Sequence, residues 1–156
     1  MEIELKPMSE EKFNQYYKKL TEEYAADHAK AGNWSEDEAV DKARKQIEKL
    51  LPEGVKTKEN YLYSVCDGDD PLGVLWLNVR PTPQGNHAYI YDIRLDDDQQ
   101  GKGYGKATMQ KLDEYAKEHE ISRIALHVFA HNERAIKLYT KTGYEMTDHL
   151  MAKTFK

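Results

Sequence analysis

The chain has 156 residues, 33% of them charged, and a formal net charge of −5. That length fits one domain, residues 1–156, around one core, and the acidic balance argues against a nucleic-acid partner. The single cysteine, Cys66, excludes an internal disulfide and suits a reducing compartment, so a cytoplasmic location is expected.

Met1 to Pro7 shows no basic segment followed by an apolar run, so no signal peptide is expected. No stretch approaches the length of a membrane span. Ile3 and Leu5 alternate with charged neighbours and read as a short strand. Ser9 then caps a helix to about Ala31, with Phe13, Tyr16, Tyr17, Leu20 and Tyr24 at helical spacing, which reads as core before substrate contact. Gly32-Asn33 breaks it, and Ser35 with Glu38 forms a capping box for a second helix ending near Leu51. Tyr61 to Cys66 and Leu72 to Val79 read as strands joined by the turn Asp67 to Pro71. After a loop containing Pro81, Pro83 and Gly85, His87 to Leu95 is the next strand. Asp96 to Asp98 is a solvated turn, or an acidic patch that draws a cationic amine. A helix over Tyr104 to Glu118 would bury Ala107, Leu112, Tyr115 and Ala116. Ile124 to Val128 is a strand and Glu133 to Lys141 a helix ended by Gly143. From Tyr144 the chain returns to extended structure, with a last strand near Leu150 to Phe155. The order β-α-α-β-β-β-α-β-α-β(-β) makes one α/β (α+β) domain with a mixed sheet.

The loop Gln100-Gly101-Lys102-Gly103-Tyr104-Gly105-Lys106 lies between a strand and a helix. The first N–H groups of a helix lack internal partners, and the macrodipole places partial positive charge there. Three glycines in five residues let backbone approach a phosphate, so the segment reads as a pyrophosphate seat, with a turn that binds nothing as its bland alternative. Two other phosphate motifs fail on their chemistry. A P-loop needs a hydroxyl after Gly105-Lys106, where Ala107 stands, and Gln100 occupies its first glycine position. A dinucleotide fold needs a third glycine where Lys106 stands.

A second segment, Asn132-Glu133-Arg134-Ala135-Ile136-Lys137-Leu138-Tyr139-Thr140-Lys141-Thr142-Gly143-Tyr144, follows about thirty residues on. The two together, in this order, resemble the signature of the GNAT superfamily of acyl-CoA N-acyltransferases; Gln100, Gly103 and Gly105 match its Q/R-x-x-G-x-G/A pattern without gaps. The resemblance covers Tyr89 to Tyr144 closely and the whole chain in element order. It implies a mostly antiparallel central sheet of six to seven strands flanked by helices. It also implies that the backbone of Gly101 to Lys106, with Gln100, holds the CoA pyrophosphate. Ile93, Arg94 and Leu95 would hold the pantetheine arm, and Asn132 would contact it or cap the following helix. Gln100 stands where arginine is more frequent.

Amide formation from a thioester needs a neutral amine, a stabilised oxyanion and a proton for the departing thiolate. A phenol is protonated at pH 7 and can supply that proton; the resemblance assigns the role to Tyr139, whose plain alternative is a core aromatic. The base is left between His127, with Tyr89 relaying through water, and a reading of His127 as a half-buried strand residue. His131 is a weaker candidate. Asp92 is a third, but simple alternation turns it away from Tyr89, Tyr91 and Ile93. His127 and His131 lack a further metal ligand at diagnostic spacing, so no metal is expected. Cys66 lies outside both motifs, so no acyl-enzyme is expected. The expectation is therefore an acetyl-CoA-dependent N-acetyltransferase acting on a primary amine in a ternary complex, as monomer or homodimer, without membrane or nucleic acid. The acceptor, a protein N-terminus or a small amine, would be lined by Tyr24, Trp34 and the loop Arg80 to Asn86. The alternatives are a non-catalytic CoA-binding module and a nucleotide-binding protein.

Overall fold

Ser9 accepts a hydrogen bond from the Lys12 N–H and starts α1, Glu10–Lys30, whose first turn carries Glu10 and Glu11 where the helix dipole favours negative charge. In this computed structural model, which describes residues 2–155, Gly32 follows the helix in a left-handed conformation. The expected capping box of Ser35 and Glu38 then opens α2, Glu36–Leu50. The two helices pack through the small residues Ala25, Ala39 and Ala43. Their aromatic and aliphatic stripe of Phe13, Tyr16, Leu20 and Ile47 lies on Leu62 and Trp76 of the sheet.

The sheet has five strands in the order β1 (Ile3–Pro7), β2 (Asn60–Asp67), β3 (Asp70–Thr82), β4 (Gly85–Leu95) and β5 (Ile121–Leu126). Neighbours are antiparallel except β4 and β5, which run parallel because α3, Tyr104–Glu118, crosses between them. The face opposite α1 and α2 holds Val65, Leu72, Leu75, Leu77, Ala88 and Ile90 against Met109, Leu112 and Tyr115 of α3. Leu138 and Tyr139 of α4, Glu133–Lys141, pack on the same cluster. Within α3, Thr108 is buried where alanines at 107 and 116 were expected; its hydroxyl is satisfied by the Tyr104 carbonyl at 2.7 Å.

Three expectations are corrected. β5 begins at Ile121 and ends at Leu126, so His127 lies just past the strand. Among the described residues there are five strands, not six or seven, because nothing after α4 joins the sheet. Gly143, left-handed at φ 102°, ends α4 and folds Tyr144 back onto Tyr139, with ring centroids 5.8 Å apart. Beyond it residues 145–155 are exposed, and Leu150 to Phe155 form no strand. Finally, the segment holding Pro81, Pro83 and Gly85 is not an open loop. Most of it is paired β3 and β4 strand around a tight turn, about 30 Å along β4 from the glycine loop.

Candidate functional site

The site is built around one extra residue in β4. Trp76 pairs with Asp92 and Leu77 with Ile90, so Tyr91 is bulged out of the ladder. Before the bulge, Ala88 and Ile90 face the α3 side; after it Ile93 and Leu95 do. Tyr89, Tyr91, Asp92 and Arg94 consequently all lie on the α1 side. The expectation that Asp92 turns away from Tyr89 is overturned by this phase slip.

The bulge also opens the sheet. β4 and β5 pair only from Asn86 with Ile121 to Ile90 with Leu126. Beyond that point they separate, and Tyr91 to Leu95 presents backbone with no described partner on the β5 side. Gly73 steadies the other edge of this prong: a Cβ there would stand 2.0 Å from the Arg94 carbonyl oxygen, so only glycine lets β3 approach so closely.

The glycine loop lies at the end of the same prong. Gly101 and Gly103 are both left-handed, at φ 80° and 83°, a conformation that occurs in anion-binding nests. Gly103 is the N-cap of α3 and offers no side chain to satisfy the first-turn N–H groups of Tyr104 to Lys106. The Gln100 side chain donates to the Leu95 carbonyl at 3.2 Å and accepts from Arg134 at 3.3 Å, tying the loop to β4 and α4. Tyr104 turns its hydroxyl away, toward Asp67 at 3.4 Å, and so contributes backbone to the loop. Gly105 sits under Leu138 of α4.

On α4, Tyr139 is pushed up to about 12 by burial and by Asp92, against the opposing pull of Arg94. Its phenol is therefore protonated through the neutral range and feels the charges on β4. Asn132 is the N-cap of α4, but its side chain makes no capping bond; its carbonyl accepts from Ile136 at 3.1 Å. The side-chain capping half of its expected role is thus absent.

The α1 side carries charges that alternation alone had hidden. The Arg94 guanidinium meets Asp92 at 2.9 Å, Glu23 at 3.0 Å and Asp27 at 3.1 Å. Burial works against its charge, yet Asp92 and the other carboxylates hold it protonated above its usual range. Asp92 also accepts from the buried Tyr16 hydroxyl at 2.7 Å, and Asp27 lies 3.2 Å from His131. One guanidinium among three carboxylates leaves the cluster negative.

Beside these charges runs an aromatic wall. His28 stacks on Trp34 at 4.1 Å and meets Phe129 edge-on at 5.0 Å, and Tyr24 closes on both His28 and Trp34. Phe129 in turn packs against His127 at 4.9 Å and His131 at 5.5 Å. Tyr89 packs on Tyr91 at 4.8 Å and lies opposite Ala125, two residues before His127. Burial, then His127, lowers the His28 pKa, against the opposing Asp27. The structure thus gathers Tyr89, His127, Tyr24 and Trp34 on one side of the gap, with Ile93 to Leu95 and Gln100 to Lys106 along and below it.

Tyr16, Glu23, Asp27, His28, Phe129 and Arg134 were not singled out from sequence as site residues. The apolar spacing did carry one signal: Ala88 and Ile90 are even, Ile93 and Leu95 odd, and that change of parity marks the bulge. The partners on α1 have no comparable mark. Among the described residues no group of three or more His, Cys, Asp or Glu gathers to hold a metal ion, and no helix is long and apolar enough to cross a membrane.

Known proteins bear on this geometry. The model of the Acetyltransferase (GNAT) family matches residues 13–144. A Bacillus subtilis protein named as the uncharacterized N-acetyltransferase YycN is 38% identical over 154 residues, 98% of this chain and 99% of its own. The crystal structure of YycN matches with a TM-score of 0.94, covering 99% of each chain. The L-amino acid N-acetyltransferase AaaT of Escherichia coli is 32% identical over 82 residues, 52% of this chain and 51% of that protein. At 19% identity, a GCN5-related N-acetyltransferase from Ralstonia eutropha shares the fold, with a TM-score of 0.66 over 97% of this chain and 98% of that one.

Proposed function

Because the chain belongs to the GNAT acetyltransferase family, we propose that it moves an acetyl group from acetyl-CoA to a primary amine by direct attack in a ternary complex. The observation that carries this reading is the parting of β4 and β5 beyond Ile90 and Leu126. A nest of left-handed glycines lies at the foot of one prong, and a protonated phenol stands on the helix that follows the other.

The residues present fit the cosubstrate. The backbone N–H groups of Gly101 to Lys106 suit a pyrophosphate, and Lys102, Lys106 and Arg134 add cationic charge. The unpaired backbone of Ile93, Arg94 and Leu95 suits an extended amide-bearing arm, which would add to β4 as a strand does. Asn132, exposed at the start of α4, faces solvent from the opposite prong and is available to the same arm. Acetyl-CoA supplies an acyl group already activated as a thioester.

Tyr139 then acts as the general acid for the departing thiolate, since its hydroxyl stays protonated and lies on the helix flanking the gap. Tyr89 and His127 relay the amine proton to solvent through water. Asp92 is unsuited to the base role because Tyr16 and Arg94 already occupy its two oxygens. The acceptor enters from the α1 side, where the excess of carboxylates attracts its cation and Tyr24, His28, Trp34 and Phe129 offer aromatic faces. Cys66 is buried on β2, with β3 between it and β4, so the acyl group is not carried on the protein. The whole chain works as one cytoplasmic domain.

The test is Tyr139→Phe, assayed by CoA release against a panel of small amines, amino acids and N-terminal peptides. Turnover is expected to fall by about 10²-fold or more, with acetyl-CoA affinity nearly unchanged. Unchanged turnover with a competent acceptor removes Tyr139 from the acid role. Cofactor binding with no turnover on any amine would instead favour a CoA-binding module without catalysis.

A further inference from the structure

Arg94 stands just past the bulge, on the α1 side of the gap, where a guanidinium is well suited to pair with a carboxylate brought in from outside. Its charge is already taken. Nε donates to Asp92 at 2.9 Å, Nη1 meets Glu23 at 3.0 Å and Nη2 donates to Asp27 at 3.1 Å, so each nitrogen has a carboxylate partner within the chain. The neighbouring cations are committed as well. Lys19 reaches Glu23 at 3.8 Å, and His131 lies 3.2 Å from the second oxygen of Asp27. Even with Lys19 counted, two permanent cations face three carboxylates.

The hydroxyls beside them are spent in the same way. Tyr16 donates to Asp92 at 2.7 Å and Tyr24 to Gln46 at 3.0 Å. Tyr24 thus turns a ring face, not a donor, toward His28 and Trp34. The carboxylates differ in reach: 31% of the Glu23 side chain and 28% of Asp27 are exposed, against 6% of Asp92. Glu23 and Asp27 are therefore the ones that an incoming molecule meets. They also lie at the chemistry, because after burial the charges that shift the Tyr139 phenol are Asp92 and Arg94. Asp27 touches both sides of the gap, Arg94 on β4 and His131 beyond β5, so α1 borders the opening along its whole width.

We propose that Glu23 and Asp27 determine acceptor specificity by masking Arg94, so that the acceptor is an amine whose neighbouring carbon bears no carboxylate. Simple primary amines and the first residue of a peptide share that chemistry, and free α-amino acids are refused. The proposal rests on the acetyltransferase reading above for where the acceptor enters. An ammonium is drawn by the excess of carboxylate and lies well over aromatic faces. An α-carboxylate carried in beside it meets like charge and finds the guanidinium occupied, and such a repulsive element is an effective means of discrimination.

The test compares ligands that differ at that carbon: phenylalanine, phenylalaninamide and 2-phenylethylamine, with a phenylalanine-led dipeptide amide to tell a peptide from a small amine. Binding to the full chain is measured by calorimetry at about pH 8, above the ordinary histidine range, with and without free CoA, so that no turnover is needed. CoA release from acetyl-CoA is followed in parallel. The amine and the amides should bind at least about 10²-fold more tightly than phenylalanine. In a Glu23→Gln, Asp27→Asn chain, Arg94 keeps only Asp92, and the preference should shrink to about tenfold or less. A role in stability alone would weaken all four ligands together and leave their ratio unchanged.

Equal binding of phenylalanine and its amide by the native chain overturns the proposal, whether or not the variant folds. So does an unchanged preference in a folded variant, or a chain that binds none of the four. The two readings fail separately. Discrimination in binding with no turnover of any ligand supports the masking of Arg94 and removes the acetyltransferase reading. Turnover of phenylalanine as fast as of its amide keeps that reading and overturns the proposal.

Discussion

At the scale of single residues, Asp92 shows how one side chain can tie α1 to β4. It is nearly inaccessible, with 6% of its side chain exposed, and both oxygens are committed: one to Tyr16 and one to Arg94. Removing one partner of a buried ion pair costs more than the pair contributes, because the remaining charge and hydroxyl stay desolvated. Asp92→Ala is expected to destabilise the fold by about 3 kcal/mol, lowering the melting temperature by roughly 6–12 °C; a loss under a degree would mean that water takes over its bonds. Asp92→Asn, which can still accept from Tyr16, should fall between. His28 gives the residue scale its pH dependence. Its folded pKa lies below the ordinary 6.5, first from burial and then from nearby His127, with Asp27 opposing. The unfolded chain therefore binds more protons in the window just below 6.5, so His28 stabilises fully above that value and the gain is lost as pH falls through the depressed pKa. Glu23, whose pKa burial raises above its ordinary 4.5 despite Arg94, acts with the opposite sign in the window just above 4.5. Melts from pH 7.5 down to 5.5 should show a fall that is shallower in His28→Phe, which keeps the stacking on Trp34. A slope identical in both chains would assign the pH dependence elsewhere.

At the scale of elements, helices were read better than strands, and the reason is physical. Tyr104–Glu118 and Glu133–Lys141 begin and end where the sequence placed them, because glycine at Gly103 and Gly143 and the apolar spacing between are local signals. The strand before Asn132 was placed too late, since where β5 stops depends on β4 turning away at Tyr91, a contact across the sheet. The ion cluster on Arg94 was illegible for the same reason: Glu23 and Asp27 look like an ordinary solvated helix face until the bulge turns Arg94 toward them. The glycine loop, by contrast, was legible because its demand is on φ. Gly103→Val tests that demand. No atom stands within 4 Å of the added Cβ, so the fold should lose only about 1–2 kcal/mol from the left-handed backbone. The same Cβ would crowd the nest, so acetyl-CoA affinity should disappear while the circular dichroism stays native. Normal affinity in this variant would sink the assignment of the loop.

At the scale of the whole molecule, the proposed phosphate seat and the proposed proton donor depend on different parts of the chain. Gly101 to Lys106 is held by β4 through Gln100 and by the start of α4 through Arg134, all within one copy. Tyr139 sits further along α4, packed on the cluster beside α3 and under Tyr144. Cofactor binding should therefore survive Tyr139→Phe, and turnover should not. A ligand at about a hundred times its dissociation constant adds roughly 2.7 kcal/mol to stability, or about 5–11 °C for a chain of this length. Acetyl-CoA and free CoA should each shift the melt by that order, while magnesium-ATP should not, since Ala107 stands where a P-loop places its metal-holding hydroxyl. A shift with ATP alone would mean that the loop holds a different phosphate ligand.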